Sequence, residues 1–174
     1  GPRANPWYQE CSSRPILSGE LMGFDTDLVG SYGYCTDMSR TWLCGDEKST
    51  DEQKEIYTMG YEQIQNNMEL LKPGTTYKEL TLNSKEYSEK EFRHYSVLFH
   101  GVGLCDEFPA IPFSWELNEN SFDGILKPGM VMCVETYVGR YRGGPGVKLE
   151  EQVLITDNGY ELLTSYPFES DLLL

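Results

Sequence analysis

The chain has 174 residues, enough for one domain with a hydrophobic core, and 39% of them are hydrophobic, which places it among ordinary globular proteins and not among disordered ones. Its formal net charge of −14 repels a phosphate backbone, so nucleic acid is not an expected partner. No stretch approaches the roughly 20 consecutive apolar residues of a membrane-spanning helix.

The opening GPRANPWYQE begins without Met and lacks the basic-then-apolar order of a signal peptide, so the chain reads as a piece of a longer, cytoplasmic protein. Cys11, Cys35, Cys44, Cys105 and Cys133 are odd in number, scattered and without a C-x-x-C pair, which suits reduced thiols better than disulfides or zinc. No repeat, low-complexity segment or linker divides the chain, and a single domain over 1–174 is expected.

Residues 20–27 and 34–44 are extended runs on either side of the turn-prone Gly30-Ser31-Tyr32-Gly33, which predicts a hairpin with its carboxylates toward the turn end. Ser49-Thr50-Asp51-Glu52 supplies N-cap candidates and first-turn acids. Ile56, Met59, Ile64, Met68 and Leu71 then recur at near-helical spacing until Lys72-Pro73-Gly74 stops the helix. A second, more polar helix is predicted within 76–92, capped by Thr75 or Thr76. Residues 95–99 read as a strand leading into His100-Gly101-Val102-Gly103. Residues 130–138 and 147–156 are apolar strands interrupted by Glu135 and by Glu150 with Glu151, and Asp157-Asn158-Gly159 turns the chain into a last strand at 160–164.

Charged groups that interrupt apolar strands are costly to bury unless something pairs with them. Asp25, Asp27 and Asp37 on the hairpin, His100 at a strand end, and Glu135 and Glu150 within later strands form such a set. Converging carboxylates repel and take up protons, whereas divalent cations among carboxylates and one imidazole make the same arrangement a binding site. Part of the acidic excess would then be neutralised by metal.

The order Asp25, Asp37, His100, Glu135, Glu150 resembles the metal-site pattern of the pita-bread family, which includes creatinase, aminopeptidase P, prolidase and methionine aminopeptidase. The likeness extends to Tyr34-Cys35-Thr36-Asp37-Met38-Ser39-Arg40-Thr41, to His100-Gly101-Val102-Gly103-Leu104, to Leu126-Lys127-Pro128-Gly129-Met130-Val131 before Glu135, and to Gly146-Val147-Lys148-Leu149-Glu150. The resemblance implies an α+β pita-bread fold, a curved antiparallel sheet flanked by helices, here N-terminally truncated. It also implies two divalent metal ions, a small-molecule substrate, and a homodimer in the full-length protein. Glu151 competes with Glu150 as the last ligand, since adjacent strand residues face opposite ways; the family pattern favours Glu150.

Two departures separate the chain from the family's peptidases. Asp25 and Asp37 have eleven residues between them, one more than the peptidases place there, with Asp27 as an extra acid. The second histidine that peptidases carry after the Gly-x-Gly-Leu run is replaced by Leu104-Cys105-Asp106-Glu107-Phe108-Pro109, and His94 and His100 are the only histidines. Both departures, with Asn5-Pro6-Trp7-Tyr8-Gln9-Glu10, are similar to the dimethylsulfoniopropionate lyases built on this fold. That resemblance implies Asp27 as an added metal ligand, Asp106 as a catalytic base, Tyr95 as a substrate contact, and iron ahead of manganese or zinc. A prolidase or Xaa-Pro aminopeptidase and a silent protein-binding module are the rival expectations. Arg40 is expected to support a metal-site carboxylate or to form a surface ion pair.

Overall fold

The computed structural model describes residues 1–8, 10 and 12–174; Gln9 and Cys11, and the expectations that fall on them, lie outside the described residues. Strands β1 (Leu21–Val29) and β2 (Cys35–Leu43) form the predicted hairpin, antiparallel from Leu21 opposite Leu43 to Val29 opposite Cys35. The turn is one turn of 3-10 helix, Ser31–Gly33, where Tyr32 (φ 64°) and Gly33 (φ 83°) take the left-handed region that reverses the chain. Asp27 stands opposite Asp37 and Asp25 opposite Ser39. Cross-strand partners share a face and side chains alternate with period two, so all four project from the same side of the hairpin.

Helix α1 (Asp51–Met68) starts at Thr50, whose hydroxyl accepts from the Gln53 amide while the Gln53 side chain accepts from the Thr50 amide, a reciprocal capping box. Its buried face carries Ile56, Tyr57, Gly60, Ile64 and Met68. Gly60 lets it approach Leu149, Thr136 and Val147 of the sheet described next.

Helix α2 (Tyr77–Asn83), capped by Thr76, is shorter than the sequence suggests. The chain leaves the helix because α1 captures the next backbone: the Lys85 amide donates to Asn67 Oδ1 (2.7 Å) and Gln63 Nε2 donates to the Lys85 carbonyl (2.8 Å). These side-chain bonds offer the backbone an alternative to another helical turn.

Among the described residues the main sheet is antiparallel with six strands: β3 (Phe92–Arg93), β4 (Phe99–Gly101), β5 (Ala110–Ile111), β6 (Val131–Arg140), β7 (Gly146–Ile155) and β8 (Tyr160–Leu162). Its order is β5-β4-β6-β7-β8, with β3 pairing the far end of β6. The strand expected at 95–99 begins in fact at Phe99; its pairing starts where the Leu98 amide donates to the Ile111 carbonyl (3.0 Å). Val134, Val138, Val147, Leu149 and Val153 belong to the core with Ile56, Ile64 and Met68 of α1.

Strand β6 is buried along nearly its whole length, so its second face is also covered. The β1–β2 hairpin does this by docking along β7 where β8 has ended. Thr41 Oγ1 donates to the Lys148 carbonyl (2.8 Å) and accepts from the Lys148 amide (3.1 Å), while Gln152 Oε1 accepts from the Asp37 amide (3.0 Å) and from Thr36 Oγ1 (3.1 Å). The first residues tuck against the same region, with Tyr137 Oη donating to the Ala4 carbonyl (2.8 Å) and Asn5 Nδ2 to the Arg140 carbonyl (3.0 Å).

Candidate metal centre

The covered face of the sheet is polar because its register makes it so. His100 on β4 stands opposite Cys133 on β6, Cys133 opposite Gln152 on β7, Glu135 opposite Glu150, and Tyr137 opposite Lys148. The hairpin lays Asp25, Asp27, Asp37 and Ser39 over this row. Two acids directly across a ladder repel each other, and here both are about 1% exposed.

His100 Nε2 lies 3.1 Å from Glu150 Oε1, 3.6 Å from Asp37 Oδ2 and 3.7 Å from Glu135 Oε1. Its Nδ1 faces the Gly101 carbonyl at 3.2 Å, which turns Nε2 inward. Donor atoms of Asp37, His100, Cys133 and Glu150 fall within 4.8 Å of one another, and so do those of Asp27, Asp37 and Asp106, with Asp37 common to both groups. Asp106 reaches this place because the loop after β4 is fastened to the hairpin, the Cys35 amide donating to the Gly103 carbonyl (2.6 Å). Gly101 is required there: a Cβ at that position would run into the Phe108 carbonyl as the strand passes Pro109.

Burial and like charge perturb the acids strongly. Burial, then the charges of Glu150, Asp25 and Asp27, push the Asp37 carboxyl up to about 9. Burial alone would lower His100, but its hydrogen bond to Glu150 and the Glu135 and Glu150 charges outweigh that and hold it up at about 9. Asp25 is raised chiefly by burial. Glu150 is pulled below the carboxylate range because Lys148 and His100 together outweigh its burial.

Lys148 is the group that the sequence reading passed over. Its ammonium is buried among three carboxylates, 2.7 Å from Glu135 Oε2, 3.1 Å from Glu150 Oε2 and 3.5 Å from Asp25 Oδ2. It also donates to Ser39 Oγ (2.9 Å), which touches Asp25 Oδ1 and lies 2.8 Å from Glu150 Oε2. A usable signal existed: Lys148 is two residues from Glu150 and Ser39 two from Asp37, so period-two alternation puts each on its neighbour's face.

Among the acids predicted from sequence, Asp37, Glu135 and Glu150 come together at His100, Asp25 joins them through Lys148 and Ser39, and Asp27 through Asp37. Glu151 points the other way and forms a buried ion pair with Arg40 (2.6 Å), so Arg40 is neither a surface pair nor a partner of a clustered carboxylate. Arg40 Nη1 instead donates to the Glu150 carbonyl (2.6 Å), holding that residue by its backbone. Tyr95 lies outside the strand ladder with its ring 4.5 Å from Lys148 Nζ. Phe113 and Trp115 stack on each other, and His94 packs tilted against Phe113 and edge-on to Trp115, which makes them packing groups. Phe108, 60% exposed, packs on Phe122.

The residues fit divalent cations. Asp37 Oδ1 and Glu135 Oε1 are buried without a hydrogen-bond partner among the described residues, an arrangement that is costly unless an ion completes it, and an oxygen-rich set with one imidazole suits divalent metals. An antiparallel sheet that carries such a set under an acidic hairpin is the design of the pita-bread metalloenzymes. The model of metallopeptidase family M24 matches residues 1–157, and the chain belongs to this family.

Within the family, the chain is 48% identical over 174 residues to the dimethylsulfoniopropionate lyase DddP of Roseovarius nubinhibens, covering 99% of this chain and 39% of that protein. The prolidase from Pyrococcus furiosus superposes with a TM-score of 0.76 at 30% identity, over 95% of this chain and 47% of its own. The X-Pro aminopeptidase from Thermotoga maritima superposes at 0.78 with 27% identity, over 96% of this chain and 46% of its own. The chain thus spans less than half the length of these relatives.

Proposed function

We propose that the protein carrying this chain is a metal-dependent lyase that cleaves dimethylsulfoniopropionate to dimethyl sulfide and acrylate. The observation that carries this reading is Asp106, whose carboxylate meets Asp27 and Asp37 within 4.8 Å, on the loop where the family's peptidases place a histidine. The 48% identity to a lyase, against 30% and 27% to the prolidase and aminopeptidase, supports it.

Asp25, Asp27, Asp37, His100, Glu135 and Glu150 would hold two divalent ions, iron ahead of manganese or zinc. Bound there, the ions supply Lewis acidity toward the substrate carboxylate and stabilise the charge that develops beside it. Asp106 takes the proton from the carbon next to the carboxylate. That electron pair becomes the carbon–carbon double bond, the bond to sulfur breaks, and neutral dimethyl sulfide departs. No water is consumed.

A sulfonium group has no hydrogen-bond donor, so ring faces and diffuse negative charge are what recognise it. Tyr95 lines a cavity of about 600 Å³ with Trp7, Tyr137, Tyr141 and the Glu107 carboxylate, where Lys148 and Arg93 already lie over the Tyr95 and Tyr141 rings as cations. A homodimer and a cytoplasmic location belong to the same reading. No helix among the described residues is long and apolar enough to cross a membrane.

The rival is proline-directed hydrolysis, which the solved relatives favour by name. The remaining histidine, His94, is packed against the stacked Phe113 and Trp115 rings, which argues against its replacing the missing one. Full-length, metal-loaded protein should release dimethyl sulfide from dimethylsulfoniopropionate and no proline from a proline dipeptide. Asp106→Asn should lower kcat by about 100- to 10,000-fold at unchanged metal content. Wild type that makes no sulfide, or Asp106→Asn that makes as much, would remove the lyase mechanism.

A further inference from the structure

We propose that Lys148 is a built-in counter-cation: a fixed positive charge that stabilises the acid cluster without metal and competes with the metal ions for carboxylates on the Asp25 side. The inference rests on the metal reading above and adds to it an element that opposes metal binding.

The side chain is about 1% exposed, and its nitrogen has carboxylate oxygens of Asp25, Glu135 and Glu150 within 3.5 Å. It divides each glutamate: Oε2 of both faces Lys148, while Oε1 of both faces His100. The His100 end of the cluster therefore keeps free oxygens, among them Glu135 Oε1, which has no hydrogen-bond partner among the described residues. At the other end, Asp25 is tied to Lys148 and, through Ser39 Oγ, to Glu150.

A buried ammonium persists only where acids compensate it, and here the dependence runs both ways, since the acids have few other cations near them. Divalent ions that enter this cluster arrive within a few ångströms of the ammonium in a medium of low dielectric, where repulsion between like charges is large. Removing the charge while keeping the length of the side chain has opposite effects on two measurable properties. The metal-free protein loses stability, and metal binding tightens. A lysine that served only to fill space or to orient ligands would not tighten binding when removed.

The test uses full-length protein stripped of metal, titrated with Co(II) by calorimetry and by d–d absorption, with a thermal melt of each metal-free variant. Lys148→Met should melt below wild type yet bind Co(II) at least about tenfold more tightly. Lys148→Arg, which retains the charge, should stay close to wild type in affinity. Should Lys148→Met fold only when metal is supplied, that dependence is the proposed effect at its limit. Lys148→Gln, uncharged but still a donor to Glu135, then provides the affinity. Neutral variants that bind Co(II) no more tightly than wild type overturn the counter-cation, as does equal tightening in Lys148→Arg. Wild type that binds no Co(II) defeats the metal reading itself, and this inference with it.

Discussion

Glu150 and Glu151 are adjacent acids of the same strand, and exchanging either for glutamine should have opposite consequences. Glu151 lies 2.6 Å from Arg40, with both side chains almost wholly buried. Breaking a buried pair by deleting a partner costs about 3–5 kcal/mol when the survivor is left alone. Arg40 is not left alone: it donates to the carbonyls of Ser39 (2.9 Å), Glu150 (2.6 Å) and Tyr166 (2.6 Å) and lies over the Phe168 ring. Glutamine also retains an acceptor, and burial has already raised the Glu151 carboxyl to about 7. The loss is thus closer to that of one charged hydrogen bond, about 1.5–3 kcal/mol. Glu151→Gln should lower stability in urea by this amount and leave metal affinity nearly unchanged.

Glu150→Gln removes an oxygen that faces His100 Nε2 at 3.1 Å, so metal affinity should drop by more than the roughly 10- to 100-fold typical of losing a supporting group around a ligand. Calorimetric titration with Co(II), paired with urea unfolding of the metal-free proteins, separates the two. Equal losses of affinity in both variants would refute the assignment of Glu150 to the site and Glu151 to the Arg40 pair.

The metal-free protein should lose stability as pH rises. Asp37 is held at about 9 in the folded state against 3.8 in the unfolded chain, and His100 at about 9 against 6.5. In both cases the folded state binds more protons, so the Asp37 contribution is lost from 3.8 upward and the His100 contribution from 6.5 upward, both toward 9. Urea midpoints should therefore fall between about pH 6 and about pH 9 without metal and change less with metal, which replaces those protons; a rising midpoint would contradict the electrostatics. Gly101→Ala drives a methyl group into the Phe108 carbonyl and should cost about 1–3 kcal/mol while displacing the Asp106 loop. Metal content should survive better than turnover, and equal losses would place the effect elsewhere.

Much of the hairpin and its acids was legible locally. Gly30 to Gly33 announced the reversal, and alternation placed Asp25 with Asp27. Glu135 and Glu150 were conspicuous because an acid in an apolar strand demands a partner. Facts that depend on register were not legible. Nothing local says that Glu135 stands opposite Glu150, since this follows from how the chain turns between Arg140 and Gly146. The early end of α2 depends on Asn67 and Gln63, which lie on another helix. Alternation puts Lys148 on the face of Glu150, but its place among three carboxylates is complete only when Asp25, contributed from over a hundred residues earlier, is brought beside it.

The same long-range construction bears on how the site works. The hairpin supplies Asp25, Asp27 and Asp37; the main sheet supplies His100, Glu135 and Glu150; and neither sheet alone holds a complete donor set. What aligns them is a short series of polar contacts at the seam: Thr41 with Lys148, Gln152 with Asp37 and Thr36, and Cys35 with Gly103. A cation held by Asp37 and His100 together would bridge the two sheets at this seam, so binding free energy would become docking free energy. Lys148 bridges the same seam from β7 to Asp25, which makes it the competitor best placed to keep the halves aligned before an ion arrives.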